Sequence, residues 1–365
     1  MKISRIRNML AIGCALTTTG CLDACVPSYC DDPSVIIEPR GVAPGPYSVG
    51  VVEEVLVSTV RRETLFGEED VELKASAWYP ATSIDGASPF CYDDIAPGHG
   101  YAKPQAACES PRPVAIYSHG SGGVRWLSSY LTEHLASQGY VVAAPDHRFN
   151  TFLDNDNSDA AFDHVVLRRP VDVQDTFAWL VRASEDPANV LYGCVDENAG
   201  YAVIGHSYGG YTALAVGGWE LTPPRGASTS RQDPRVWAVA TQAPWHADGT
   251  LGLKHEAIDV PLMTLAAERD DTTLWTDVSS LHASVSTVPS YLGLMPNAGH
   301  YSFVPASCEV VEDGDGCGDD FLPGDEAAGL ITRATWLFLE EARGMGASSP
   351  TALESEELRW DPPLP

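Results

Sequence analysis

Short, continuously apolar segments alternate with segments of helical spacing along most of this chain, and this alternation limits the possible folds more than any other feature. An unbroken apolar strand is buried on both faces, which is typical of a parallel sheet covered by helices. The predicted strands lie at 114–117, 140–144, 201–204, 237–240, 261–265 and 291–295. The predicted helices lie at 124–137, 171–183, from about 208, and at 328–343. The pattern predicts an α/β fold with a mostly parallel central sheet and helices on both faces.

The segments that precede these strands alternate apolar and polar residues, as in 55–60 and 71–80. Strict alternation is typical of a strand with one face in solvent, so we expect an antiparallel edge formed by the N-terminal part of the domain.

The chain divides by composition into a domain and its flanking segments. Residues 1–24 have the pattern of an export signal, and 25–46 form a linker rich in Pro and Gly. The domain is predicted at 47–343. Within it, 83–111 is predicted to be an excursion, which either covers the functional site or is a peripheral addition to the domain. The acidic, Pro-rich tail at 344–365 is expected to be poorly ordered.

The export signal leaves the mode of attachment open. Cys21 follows a segment that resembles a bacterial lipoprotein cleavage box, Cys25 is a poorer second choice, and simple cleavage without a lipid is the alternative. The expected location is therefore secreted, periplasmic, or at the cell surface as a lipoprotein.

Nine cysteines in an exported chain predict disulfides. The pairs Cys91–Cys108 and Cys308–Cys317 are favoured because each closes a short polar loop, and the remaining connectivity is open. The chain has no C-x-x-C pair, which argues against a zinc ribbon or a thioredoxin-like redox site.

The formal net charge of -28 excludes some partners. So negative a surface repels phosphate backbones, so we expect no nucleic-acid partner. We expect the protein to be a monomer. The acidic stretch at 313–320 begins like a calcium-binding loop but has Cys317 at the fifth position and Gly324 at the twelfth, where glutamate is required. A second acidic stretch, 154–159, fits no template, and we predict neither a metal nor a cofactor.

The segment Gly205-His206-Ser207-Tyr208-Gly209 carries the chemistry, because it joins a predicted strand to a predicted helix. In that setting, G-x-S-x-G forms a sharp turn that lifts the serine hydroxyl above the sheet edge. Glycines at 205 and 209 remove side chains that would collide with neighbouring backbone. Ser207 is the predicted nucleophile.

A serine nucleophile needs an acid and then a histidine, each on a loop after a later strand. Asp270 follows the strand at 261–265, with Asp271 as a competitor, and His300 follows the strand at 291–295. Two backbone N–H groups should bind the oxyanion. We predict those of Tyr208 and of Ser121, which lies in the Gly-rich loop after the first apolar strand.

Taken together, the segments 118–123, 135–147 and 205–210 resemble dienelactone-hydrolase-like and platelet-activating-factor-acetylhydrolase-like α/β-hydrolases. The segment 242–248 is similar to bacterial cutinases and polyester hydrolases. The resemblance implies the α/β-hydrolase fold and hydrolysis of carboxylic esters through an acyl-enzyme, without a cofactor. It also implies that Trp245 lies beside the acyl group of the substrate. Most cutinase-like enzymes have an aromatic residue where this chain has Ser121, which argues against aromatic polyester substrates.

Three further functions compete with a general esterase. The acetylhydrolase resemblance allows phospholipid acyl hydrolysis, and a surface binding protein could retain the fold without activity. The complete set of serine, acid and histidine argues against the inactive protein. Peptidase activity ranks lower, because no propeller or cap domain is evident.

Overall fold

The structure is a computed structural model that describes residues 28–57, 72–155, 159–222, 229–246, 252–254, 258–285, 289–309, 311, 314–346 and 348–361. The predicted export signal, with Cys21 and Cys25, lies outside these residues. No helix within the described ranges is long and apolar enough to cross a membrane.

The strands, in chain order, are β1 (Ser48–Val57), β2 (Glu72–Ala81), β3 (Pro89–Tyr92), β4 (Ala96–Ala102), β5 (Val114–Ser118), β6 (Val141–Pro145), β7 (Tyr201–His206), β8 (Glu220–Thr222), β9 (Thr229–Ser230), β10 (Val236–Gln242), β11 (Gly252–Lys254), β12 (Leu262–Ala267), β13 (Ser290–Met295) and β14 (Arg359–Trp360). The helices are α1 (Ser129–Ser137), α2 (Asp159–Glu185), α3 (Tyr208–Gly217), α4 (Trp275–Ala283) and α5 (Gly324–Ala342). Strands β8, β9 and β11 form a small separate sheet.

The main sheet has eleven strands in the order β14-β13-β12-β10-β7-β5-β6-β2-β1-β4-β3. The six strands from β6 to β13 pair in parallel, as the unbroken apolar runs predicted. Strands β1 and β2 pair antiparallel, and β2 joins the parallel strands through an antiparallel pairing with β6. The predicted mostly parallel sheet with an antiparallel N-terminal edge is therefore confirmed.

Helices cover both faces of the sheet, and strand β5 shows how the core is divided. Val114 and Ile116 belong to one buried cluster, which also contains Phe177 of α2. The alternate residues Ala115 and Tyr117 belong to a second cluster, with residues of α1 and α5. Because successive side chains of a strand point to opposite faces, one continuous apolar run supplies both cores.

The segment 83–111 extends the sheet instead of leaving it. Its strands β3 and β4 form the outer edge, where Gly50 of β1 pairs with Tyr101 of β4. This edge is six strands from β7, or roughly 30 Å at ordinary strand spacing. Strands β3 and β4 therefore do not cover Ser207, which follows β7.

The flanking segments also pack on the domain where they are described. Arg40 of the predicted linker binds the Asp325 carboxylate of α5, with 2.9 Å from Nε to Oδ2. The tail, expected to be poorly ordered, supplies β14, in which Trp360 pairs with Gly293 of β13. The expectation for the tail was wrong over these residues, because Trp360 buries its ring against the sheet edge.

Three disulfides link the described cysteines: Cys30–Cys91, Cys108–Cys194 and Cys308–Cys317. The predicted Cys308–Cys317 pair is present, whereas the predicted Cys91–Cys108 pair is wrong. The N-terminal segment lies along the β3–β4 turn, where the N–H of Tyr29 donates to the carbonyl of Ile95 at 2.7 Å. That contact brings residue 30 to residue 91, a proximity that loop length does not reveal.

Candidate active site

Ser207 lies at the tip of the turn between β7 and α3 with φ 55° and ψ -119°. A non-glycine residue rarely adopts such a positive φ, and strained backbone of this kind concentrates at functional sites. The turn is fixed from three directions. Ser207 N–H donates to the Gln242 carbonyl at 2.9 Å, and its own carbonyl accepts from the N–H groups of Gly210 at 2.8 Å and Trp245 at 2.9 Å.

The structure shows why both outer positions of the motif are glycine, and the reason is the steric one predicted from the sequence. A Cβ at Gly205 would lie 2.0 Å from the carbonyl oxygen of Gly209, within the same turn. A Cβ at Gly209 would lie 1.9 Å from the carbonyl oxygen of Ser118, at the end of β5. Neither position has room for a side chain, so the turn requires glycine at both.

Asp270 and His300 form a buried pair, with 2.9 Å between Oδ2 of the carboxylate and Nδ1 of the imidazole. Asp270 accepts further hydrogen bonds from the N–H of Thr272 at 2.8 Å and from the hydroxyl of Thr273 at 2.8 Å. These donors fix the carboxylate, which in turn fixes the plane of the histidine ring.

The alternative acid, Asp271, is the next residue in the chain but has different contacts. It is exposed, and its backbone N–H donates to Oδ1 of Asp315 at 2.9 Å. The structure therefore brings Asp270, and not Asp271, to the imidazole of His300.

His300 contacts the serine turn at His206, the residue before Ser207. The Nε2 of His206 donates to the His300 carbonyl at 3.1 Å, and the two ring centroids are 4.7 Å apart. Burial, with His300 nearby, holds the pKa of His206 well below its ordinary value. Among the described side chains, no hydrogen bond joins Ser207 Oγ to the His300 ring; in unliganded enzymes such bonds are often long and tighten when substrate binds.

The Gly-rich loop after β5 lies against Ser207. A Cβ at Gly120 would be 3.2 Å from the Ser207 Cβ, which places the next residue, Ser121, at the edge of the turn. The Ser121 hydroxyl accepts from the side-chain amide of Asn150 at 2.9 Å. Tyr208 is the first residue of α3, and the first N–H groups of a helix have no partner within the helix.

Trp245 lies beside the turn, half-buried. Its ring makes an edge contact with Tyr208 at 5.0 Å between centroids and another with Tyr211 at 5.8 Å. Because its backbone is bound to the Ser207 carbonyl, the ring's position is coupled to that of the turn.

Sequence reasoning missed Arg169, a fully buried arginine of α2 that ties the Gly-rich loop to α3. Its guanidinium donates to the Thr212 hydroxyl at 3.0 Å, to the Asn150 side-chain oxygen at 2.5 Å, and to the His119 carbonyl. It also lies over the Tyr208 ring, 4.8 Å from the centroid. An arginine on a helix normally indicates a solvated face, so no sequence signal identifies this one.

A second serine–histidine–aspartate chain lies behind the loop. Nε2 of His147 is 2.8 Å from Ser118 Oγ, and its Nδ1 is 2.9 Å from Asp172 Oδ2. All three residues are buried, and burial, together with Arg169 and Arg168, holds the pKa of His147 well below its ordinary value. Ser118 is buried and no substrate can reach it. These three side chains therefore support the base of the Gly-rich loop.

Among the described residues, no group of three or more His, Cys, Asp or Glu side chains could hold a metal ion.

A mostly parallel sheet with a strained serine at a strand–helix turn, followed along the chain by a buried aspartate–histidine pair, is typical of the α/β-hydrolase fold. Comparison with solved structures shows this fold. The chain is similar to a ferulic acid esterase from Streptomyces cinnamoneus with a TM-score of 0.65 and 20% identity, covering 90% of this chain and 99% of the esterase.

Sequence comparisons confirm the resemblance to the acetylhydrolase-like group. The family model for platelet-activating factor acetylhydrolase, isoform II, matches residues 102–162. The platelet-activating factor acetylhydrolase of Cavia porcellus is 26% identical over an alignment that covers 47% of this chain. The chain spans about half the length of that relative (50%).

Proposed function

We propose that the protein is an exported serine hydrolase that cleaves carboxylic esters, with Ser207 as nucleophile, His300 as general base and Asp270 as the residue that orients the base. The observation that carries the proposal is the buried Asp270–His300 pair, which lies at the same sheet edge as the strained serine turn. A buried aspartate–histidine pair beside a strained serine turn supports catalysis over an inactive scaffold.

In the first half of the reaction, Ser207 Oγ attacks the ester carbonyl carbon and His300 Nε2 takes the hydroxyl proton. Asp270 accepts from Nδ1–H, which leaves Nε2 as the basic nitrogen and stabilises the imidazolium that forms. The backbone N–H groups of Ser121 and Tyr208 bind the oxyanion. When the tetrahedral intermediate collapses, the imidazolium returns its proton to the leaving alcohol, and Ser207 remains acylated.

In the second half, a water molecule attacks the acyl carbon while His300 takes one of its protons. Collapse of the second intermediate breaks the bond to Ser207 Oγ, which receives that proton, and releases the carboxylic acid. The cycle requires no metal or redox cofactor. Trp245, whose backbone is bound to the Ser207 carbonyl, is proposed to contact the acyl group.

The acetylhydrolase matches favour a second substrate class, an ester bond in a phospholipid. Acyl-length profiles measured on soluble p-nitrophenyl esters and on short-chain phospholipids separate the two classes. A preference for the phospholipid at equal acyl length selects the second.

Export is supported by the three disulfides, which persist in oxidising compartments. The proposal places the protein outside the cytoplasm as a monomer, either free or anchored by a lipid at Cys21 or Cys25. Intact-mass measurement of the protein from its native host distinguishes these forms, because a lipid adds a defined mass to the mature N-terminus.

Three variants test the catalytic assignment: Ser207→Ala, Asp270→Asn and Asp271→Asn. We expect Ser207→Ala to lose both turnover of a short-chain p-nitrophenyl ester and labelling by a fluorophosphonate. Asp270→Asn should lower kcat by about 10⁴-fold, because the amide favours the wrong histidine tautomer. The exposed Asp271→Asn is the matched control and should keep near-normal rates. Turnover by folded Ser207→Ala at the normal rate would exclude the mechanism, and an unlabelled wild type would favour the inactive binding protein.

A further inference from the structure

One carboxylate, that of Asp315, joins the loop of the proposed acid to the loop of the proposed base. Its Oδ1 accepts from the N–H of Asp271 at 2.9 Å and from the N–H of His300 at 2.9 Å. Its Oδ2 accepts from the hydroxyl of Thr272 at 2.6 Å. Protein donors therefore bind both oxygens of this carboxylate, which favours a bridging role over cation binding.

Asp315 is itself held by a short closed loop, residues 314–317. Gly314 and Cys317 exchange two backbone hydrogen bonds, of 2.8 and 3.0 Å, and the Cys308–Cys317 disulfide ties the loop to the segment after His300. The Asp315 carbonyl accepts from the N–H of Tyr301 at 2.8 Å. The loop thus contacts the histidine segment through both its backbone and its side chain.

The contact between this loop and the histidine segment leaves no free space. A Cβ at Gly299 would lie 2.3 Å from the Asp315 carbonyl carbon, and a Cβ at Gly316 would lie 2.6 Å from the N–H nitrogen of Ser302. The backbones touch directly, so a shift of one segment moves the other.

The proposed acid and base need such a bridge, because they follow different strands. Asp270 lies after β12 and His300 after β13, and their separation of 2.9 Å depends on the relative position of two loops. Hydrogen bonds to a charged carboxylate are about twice as strong as neutral ones, and three of them converge on Asp315. A displacement of about 1 Å at a catalytic group can cost about 10²-fold in rate.

We propose that Asp315 is a positioning residue that keeps the Asp270 loop and the His300 loop in their catalytic arrangement, and that the Cys308–Cys317 disulfide keeps Asp315 in place. The inference rests on the proposed function. It assigns to Asp315 a role that the resemblance of its acidic stretch to a calcium loop does not indicate.

The first test compares Asp315→Ala with Asp315→Asn. We expect the alanine variant to lower kcat by about 10- to 100-fold with KM within twofold, since the ester-binding surface is unchanged. The asparagine variant keeps an oxygen for the two backbone N–H groups and should recover most of the rate. Asp319→Ala, an exposed aspartate in the same segment, is the matched control and should behave as wild type.

The second test asks whether the disulfide acts through Asp315. The double variant Cys308→Ser, Cys317→Ser should lower kcat in the same direction as Asp315→Ala. Adding Asp315→Ala to that double variant should lower it little further, because residues that act on one element have non-additive effects. Fully additive losses would contradict the link between the disulfide and the carboxylate.

Normal kcat in folded Asp315→Ala would overturn the inference, and so would a loss in Asp315→Asn as large as in the alanine variant. If Asp315→Ala does not fold, Thr272→Val removes one of the three bonds at an exposed position and should lower kcat by about threefold. Unchanged kcat in both Thr272→Val and the cysteine double variant would then refute the proposal. Activity in Ser207→Ala would instead refute the proposed function, which keeps the two failures distinct.

Discussion

Gly209 is the position where one added methyl group should do most damage to the proposed site. Its Cβ would lie 1.9 Å from the Ser118 carbonyl oxygen, 2.6 Å from the Ser118 carbonyl carbon and 2.8 Å from the His119 carbonyl oxygen. All three atoms are backbone, so no flexible side chain can move aside. Gly209→Ala therefore forces helix α3 and the Gly-rich loop apart.

The size of the effect follows from these distances. Ordinary van der Waals contact with a Cβ begins near 3.4 Å, so the backbones must separate by about 1.5 Å. Overpacking of this kind costs about 3 kcal/mol in free energy of unfolding. The shift also separates the two proposed oxyanion donors, Ser121 and Tyr208, and a displacement of about 1 Å can lower kcat/KM by about 10²-fold.

The assay measures kcat/KM for a short-chain p-nitrophenyl ester, normalised to folded protein, beside urea denaturation. Gly217→Ala is the matched control at the other end of α3, where the added Cβ meets the Val239 side chain at 2.7 Å. That control should lose stability but keep its rate per folded molecule. If folded Gly209→Ala retains kcat/KM within threefold of wild type, the steric reasoning about the turn is refuted.

Two further predictions concern the buried polar groups behind the site. Burial holds the pKa values of His119, His147 and His206 well below their ordinary value, whereas in the unfolded chain each ring protonates below about pH 6.5. The unfolded state therefore binds more protons as pH falls, and from pH 7 to 5.5 the free energy of unfolding should drop by up to about 1.4 kcal/mol per pH unit for each histidine. Urea denaturation at several pH values measures this, and a flat profile would contradict it. Arg169→Lys should lower the free energy of unfolding by about 2 kcal/mol, because one ammonium cannot reach all the acceptors that the guanidinium binds. Urea denaturation measures the change. An unchanged midpoint would show that these bonds add no net stability.

Motifs that depend on local sterics could be recognised in the sequence. The G-x-S-x-G segment predicts its own turn, because Gly205 and Gly209 are needed wherever that turn forms. The sequence could not decide between Asp270 and Asp271. These adjacent residues share one loop, and only the contact with His300 identifies Asp270 as the candidate acid. The wrong Cys91–Cys108 pair has a related cause, because short separation along the chain does not imply proximity across a sheet.

The alternation of apolar strands and helices was enough to determine the parallel sheet, since hydrophobic periodicity is a local property that each segment carries by itself. The buried Arg169 and the bridging Asp315 were decided only by tertiary structure. Both are charged residues in segments that look solvated, and their partners lie on other loops or elements. Which donors and acceptors meet depends on how the whole sheet brings distant segments together, and no window of sequence contains that information.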